Sequence, residues 1–82
     1  MQLELKKKVL KVDVYGVEEN MNFPTVIERK DYLIDLYDEK NNEYDVSVKF
    51  FEMLGMSRES IDTLDLPDMQ EIIEVLTSKK KV

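Results

Sequence analysis

The chain contains no cysteine, no histidine and no tryptophan, and only two glycines and two prolines among its 82 residues. Each absence removes a class of function. Without cysteine there is neither a disulfide framework nor a thiolate metal site, so the fold must hold by packing, and the redox compartment is left open. Without histidine, the side chain that most often moves protons near neutral pH is missing, and a carboxyl group in that role would need burial or a close neighbour to shift it. The carboxylates are spread along polar faces with Lys or Arg among them, and no pair is set apart for catalysis. Two glycines leave little room for a phosphate-cradling loop, and no serine sits in a nucleophile elbow. No run approaches the roughly 20 apolar residues of a membrane span, and the opening "MQLELKKK" alternates where a secretory leader would be continuously apolar. The expectation is a cytoplasmic protein that is not an enzyme, with no catalytic, cofactor-binding or metal-ligating residues and no membrane partner.

What is present in abundance is charge of one sign, unevenly placed. The net charge is −6. Residues 1–11 carry +3 and residues 79–82 carry +3, so residues 12–78 carry −12. A body of that sign repels phosphate backbones, which argues against nucleic acid as a partner, because such binding rests on Lys and Arg neutralising phosphates. The acidic stretch "DLYDEKNNEYD" invites a comparison with calcium loops, which place oxygen ligands at alternate positions. Counted from Asp38, the third position is Lys40, Glu43 stands where glycine belongs, and the twelfth is Lys49. Counted from Asp35, the third is Tyr37 and the twelfth Val46. Neither register can hold the ion.

Hydropathy patterning predicts an α+β fold in one domain spanning residues 1–82. It comprises an N-terminal β-hairpin over 1–15, a linker over 16–22, a helical part over 23–78 and a basic tail over 79–82. In "MQLELKKKVLKVDVY" a two-residue turn at Lys7-Lys8 would set opposite one another residues whose numbers sum to 15. That register places Leu5 beside Leu10, Leu3 beside Val12 and Met1 beside Val14 on one face. On the other it places Glu4 beside Lys11 and Gln2 beside Asp13, so one face is wholly apolar and one pair has opposite charges. Lys-Lys is a poor fit to the positive φ that such a turn demands. The hairpin needs cover from the helices, because a lone hairpin is marginal in water.

Three main helices and a short helical turn follow. Asn22 is a candidate N-cap, with Pro24 in the first turn. Phe23, Val26, Ile27, Leu33, Ile34 and Tyr37 then share a stripe read as the core face, with Lys30 in its middle laying its stem along apolar surface. Tyr32 and Leu36 project from the other side, toward another part of the fold or a partner. A second helix over Glu43–Leu54 is apolar around most of its circumference, with Asp45, Lys49 and Glu52 as its polar strip, which marks the central helix. Gly55 ends it in the left-handed conformation, with Met56 folding back on Phe51. Ser57 caps a short turn through Ile61 and Leu64. Asp65 is the candidate N-cap of the last helix, with Pro67 and Asp68 in its first turn. There Leu66, Met69, Ile72, Ile73 and Leu76 form one stripe, and Asp68, Glu71 and Glu74 the other side.

The hairpin followed by "FPTVIERKDYLIDLYDEKNNEYDVSVKFFEMLGMSRESIDTLDLPDMQEIIEVLTSKKK" resembles the tail assembly chaperones of long-tailed bacteriophages, small acidic proteins of Firmicute phages and prophages. The likeness spans nearly the whole chain and lies in the order of elements, the size and the "LG…S…ID.LD..D…I…L" region. The resemblance implies a non-enzymatic role in the host cytoplasm. The protein would bind the long, aggregation-prone tape-measure protein, keep it soluble, and assist recruitment of tail-tube protein. It further implies a longer second product made by ribosomal frameshifting, with which the "KKKV" of residues 79–82 is compatible. A holdase must cover apolar segments without strict sequence demands, a use suited to Met and aromatic side chains, and should self-associate so that weak contacts add by avidity. The candidate interaction residues are Tyr32, Leu36, Phe50, Met53, Leu66, Met69, Ile73 and Leu76. The competing reading is an acidic inhibitor or adaptor that blocks a basic surface through Asp35, Asp38, Glu39, Glu71 and Glu74.

Overall fold

A computed structural model describes residues 2–77. The basic tail, the positive charge following the last helix, the frameshift reading and the Met1 pairing lie outside the described residues. The elements run β1 (Val9–Val14), β2 (Val17–Asn22), α1 (Val26–Tyr37), α2 (Glu43–Leu54), α3 (Arg58–Thr63) and α4 (Leu66–Thr77). The fold is α+β, an N-terminal antiparallel hairpin followed by three longer helices and one short one.

The hairpin does not form in the expected register. β1 pairs with β2, with Leu10 opposite Met21, Val12 opposite Glu19 and Val14 opposite Val17. Most of the stretch expected to be a linker is therefore the second strand, and residues 2–7 precede the sheet without joining it. The turn explains the difference. Tyr15 (φ 52) and Gly16 (φ 99) both take positive φ, as a two-residue type I′ hairpin turn requires, whereas Lys7-Lys8 offers no residue that adopts it readily. The Asp13 carboxylate also accepts from the Gly16 N–H at 2.7 Å.

Around the sheet the helices take up most of the apolar surface. Phe51, Met21, Leu54 and Ile61 are fully buried and join Tyr32, Phe50, Met69 and Leu76 in the core. α2 lies at the centre, with Val48, Phe50, Phe51 and Leu54 all inward. Asn42 caps its start, accepting from the Tyr44 N–H at 2.7 Å. At its end Gly55 is left-handed at φ 117, and the Met56 and Gly55 N–H groups donate to the Phe51 and Glu52 carbonyls, which is the Schellman arrangement. Ser57 caps α3 by accepting from the Ser60 N–H.

α1 starts later than expected. Thr25, not Asn22, is its cap: Thr25 Oγ1 accepts from the Glu28 N–H at 3.1 Å, and the Glu28 carboxylate accepts from the Thr25 N–H at 2.9 Å. That reciprocal pair is the capping box that Thr-x-x-Glu forms, and Asn22 is instead the last residue of β2. The helix is also turned over. Tyr32 is buried and Leu36 partly so, while Val26, Ile27, Ile34 and Tyr37 stand in solvent. Among the described residues it packs chiefly against α2, where the Tyr32 and Phe50 rings stack at 4.2 Å and 20°. Such a stacked pair contributes about 0.5 to 1.5 kcal/mol beyond the area it buries.

Two polar clasps join hairpin to helices. Glu19 points inward from β2 and accepts from the Ser60 hydroxyl (2.6 Å), the Ser57 hydroxyl (2.9 Å) and the Ser57 N–H (3.1 Å). Tyr15 donates its hydroxyl to Asp68 and accepts from the Asp65 N–H at 3.2 Å, linking the turn to the start of α4. The hydrogen bond to Ser60, with those to Ser57, favours the charged form of Glu19 and holds its carboxyl below the usual glutamate value. A depressed carboxyl pKa contributes stability that is complete above the unfolded value, about 4.3, and is lost as pH falls through the folded one. Glu19→Gln should thus lower the melting temperature at neutral pH, and the variant and parent curves should converge in acid below about pH 4. Curves that stay parallel throughout an acid titration would show that the carboxylate has no such role.

Candidate protein-interaction surface

The turned-over α1 presents the most continuous apolar surface. Val26 is 86% exposed, Tyr37 81%, Ile27 69% and Ile34 56%. Helical geometry gathers Val26, Lys30, Leu33, Ile34 and Tyr37 within about a third of the helix circumference, with Ile27 at its edge. With Arg29 and Asp38 they line a shallow groove of about 570 Å³. The capping box fixes the start of this face. Its end is set by the Asp38 N–H, which donates to the Asp35 carbonyl, and by the Asn41 side-chain amide on the same oxygen. Lys30 is exposed in the middle of the face, and Arg29 at its border has a buried Nε without a hydrogen-bond partner among the described residues. A binder of this face therefore meets an apolar strip with Lys30 in its middle and Arg29 and Asp38 beside it.

A second, narrower groove of about 190 Å³ lies between α1 and α2. Tyr32, Phe50, Val46 and Met53 form its floor and wall, and Glu28, Asp31, Asp35 and Lys49 its rim. Three of the sequence-selected interaction residues, Tyr32, Phe50 and Met53, meet here. Met53 is half exposed, but Tyr32 and Phe50 are only 5% and 2% accessible, so they shape the groove from below.

The other sequence-selected positions are dispersed. Met69 and Leu76 are buried in the core, and Ile73 and Leu36 are packed partly against it. Leu66 is exposed at the start of α4, apart from the rest of its expected stripe. Of the expected interaction residues on α2 and α4, Phe50, Met69 and Leu76 are buried and Ile73 is partly packed against the core, so Met53 and Leu66 are the ones left in solvent. Of the stripe expected to face the core, Phe23 and Leu33 are partly packed against it, whereas Val26, Ile27, Ile34 and Tyr37 are exposed. The signal that could have revealed this is Lys30, since a lysine at the centre of a stripe marks a face that reaches water.

Among the described residues no group of three or more acidic side chains is arranged to hold a metal ion, and no helix among them is long and apolar enough to cross a membrane. No family model matches this chain, and neither a curated protein nor a solved structure matches it.

Proposed function

We propose that the protein is a non-enzymatic assembly chaperone that holds apolar segments of a larger polypeptide on the outer face of α1. The observation that carries this reading is the cluster of Val26, Ile27, Ile34 and Tyr37 in solvent on one helix. Contiguous apolar surface left open in a small protein is where partners bind. The acidic body suits a holdase because it keeps the loaded complex soluble through net charge. On the resemblance to phage tail assembly chaperones, the client is a tape-measure protein in this reading, with tail-tube protein as the later arrival. An amphipathic helix of such a client, laid along the α1 groove, would make a helix-in-groove contact.

Co-expression with a tape-measure protein tests the reading. The native chain should carry the client into the soluble fraction, and Val26→Asp with Ile34→Asp should abolish this by more than tenfold while leaving the fold intact, since both positions are exposed. Capture that survives both substitutions would refute the α1 face as the holding surface. The acidic-adaptor reading draws support from Asp35, Asp38, Glu39, Glu71 and Glu74, all of which stand in solvent. Salt separates the two, because contacts among exposed charges fade once the screening length falls to about 3 Å at 1 M salt, whereas apolar capture persists.

A further inference from the structure

The register that the opening residues spell out but do not form within one chain points to a contact between two chains. Residues 2–7 make no strand pairing, and Leu3 and Leu5 are 82% and 85% exposed. The ladder begins only at Lys8, whose carbonyl accepts from the Phe23 N–H at 3.3 Å. Of the two edges of the sheet, that of β2 is covered in part. The Asn20 carbonyl lies 3.1 Å from where a Cβ on Gly55 would stand, and Glu19 is tied to Ser57. Among the described residues no strand pairs with the outer edge of β1, and a groove of about 300 Å³ lies between β1 and α4. Leu10, Val12, Val14, Leu64, Ile72 and Val75 are its apolar lining, Tyr15, Asp13, Asp68 and Glu71 complete it, and no β2 residue contributes.

We infer that this groove receives residues 2–5 of a second copy, which add as a third strand to the open edge of β1. The pairing is the one whose numbers sum to 15. Leu5 of the incoming arm lies opposite Leu10 and Leu3 opposite Val12, both over the groove, while Glu4 lies opposite Lys11 on the outer face. Within one chain this cannot occur by straight extension. Successive residues of a strand face opposite sides, so an arm continuing β1 would send Leu3 and Leu5 to the outer face with Lys11 and Asp13. An arm from another molecule has no such constraint. Charge favours the union at one pair, because Glu4 of the arm meets Lys11 of β1 across the new ladder. Gln2, not an acid, falls opposite Asp13. Lys7 of the incoming arm would face Lys8, and the like charges end the pairing there. Open strand edges pair readily with other chains, and a third strand stabilises a hairpin that is marginal alone.

The contact specifies how the self-association expected of the chaperone arises, and it stands without the client. Sedimentation of the full chain across a concentration series should show association, and Leu3→Asp with Leu5→Asp should weaken it at least tenfold with unchanged circular dichroism, since both leucines are exposed. In addition, a Glu4→Cys chain mixed with a Lys11→Cys chain should form a disulfide between the two under oxidation, against a background without any other cysteine. A strictly monomeric native chain, association indifferent to the arm substitutions, or association lost only in the Val26→Asp, Ile34→Asp variant would overturn the inference. Failure of client capture while the cross-link forms would remove the chaperone reading and leave this contact standing.

Discussion

Phe51→Ala is expected to lower the stability of this protein by about 3 to 5 kcal/mol, the range for removing a buried Phe. Phe51 is wholly inaccessible and sits in the last turn of the most buried helix. Its carbonyl also receives both N–H groups that end α2, so the cavity would open beneath the junction that leads into α3. Small domains have only about 5 to 15 kcal/mol in total, and a chain of this size stands toward the lower part of that range because it buries a smaller fraction of its surface. Denaturant titration should therefore show a variant that is partly unfolded at room temperature. A loss below about 1 kcal/mol would mean that the core is not built around this ring.

The second large effect is expected at Gly55. Its φ of 117 is one that residues with a Cβ rarely adopt, and a Cβ there would come within 3.1 Å of the Asn20 backbone oxygen. That oxygen belongs to the edge of β2, so it cannot rotate aside as a side chain would. Left-handed backbone alone costs a non-glycine residue about 1 to 2 kcal/mol, and the contact adds to it. Gly55→Ala should thus cost at least that much, and hydrogen exchange should show β2 and the start of α3 opening more often than in the parent. Gly16, also at positive φ, has open space around it, so Gly16→Ala should cost less. Equal losses at the two sites would show that the approach of β2 to the α2 terminus has no energetic weight.

Local chemistry makes several features legible in the sequence itself. α2 runs from Glu43 to Leu54 as expected, because Asn42 and Gly55 punctuate it with side-chain and backbone preferences that need no distant partner. Ser57 capping α3 is of the same kind. β2 is hidden for the opposite reason. "VEENMN" has no apolar alternation, and its inward positions are Met21, which is buried, and Glu19, whose carboxylate is satisfied by serines 38 and 41 residues away. A strand held by such remote donors leaves no periodic trace. The one hint is Gly16 beside Tyr15, with Asp13 positioned to accept from the turn.

The candidate surface is half legible. Periodicity groups Val26, Ile27, Leu33, Ile34 and Tyr37 on one side of α1 and Tyr32 with Leu36 on the other; the second grouping holds, and of the first Leu33 alone packs partly against the core. Which side faces inward cannot be read, because a helix with two apolar faces is symmetric in pattern, and the choice falls to whichever neighbour offers the better contact. Here that neighbour is α2, which presents Phe50 to Tyr32.

From its residues alone this chain determined that its structure rests on packing without disulfides, where α2 ends, and that its apolar side chains fall on several separate stripes. Those follow from bonding capacity and backbone preference, which act over a few residues. Only the tertiary structure decided which strand pairs with β1, which face of α1 meets solvent, and that residues 2–7 stay outside the sheet. Each of these is a competition between surfaces far apart in the chain, and it is settled by the contacts they make once brought together.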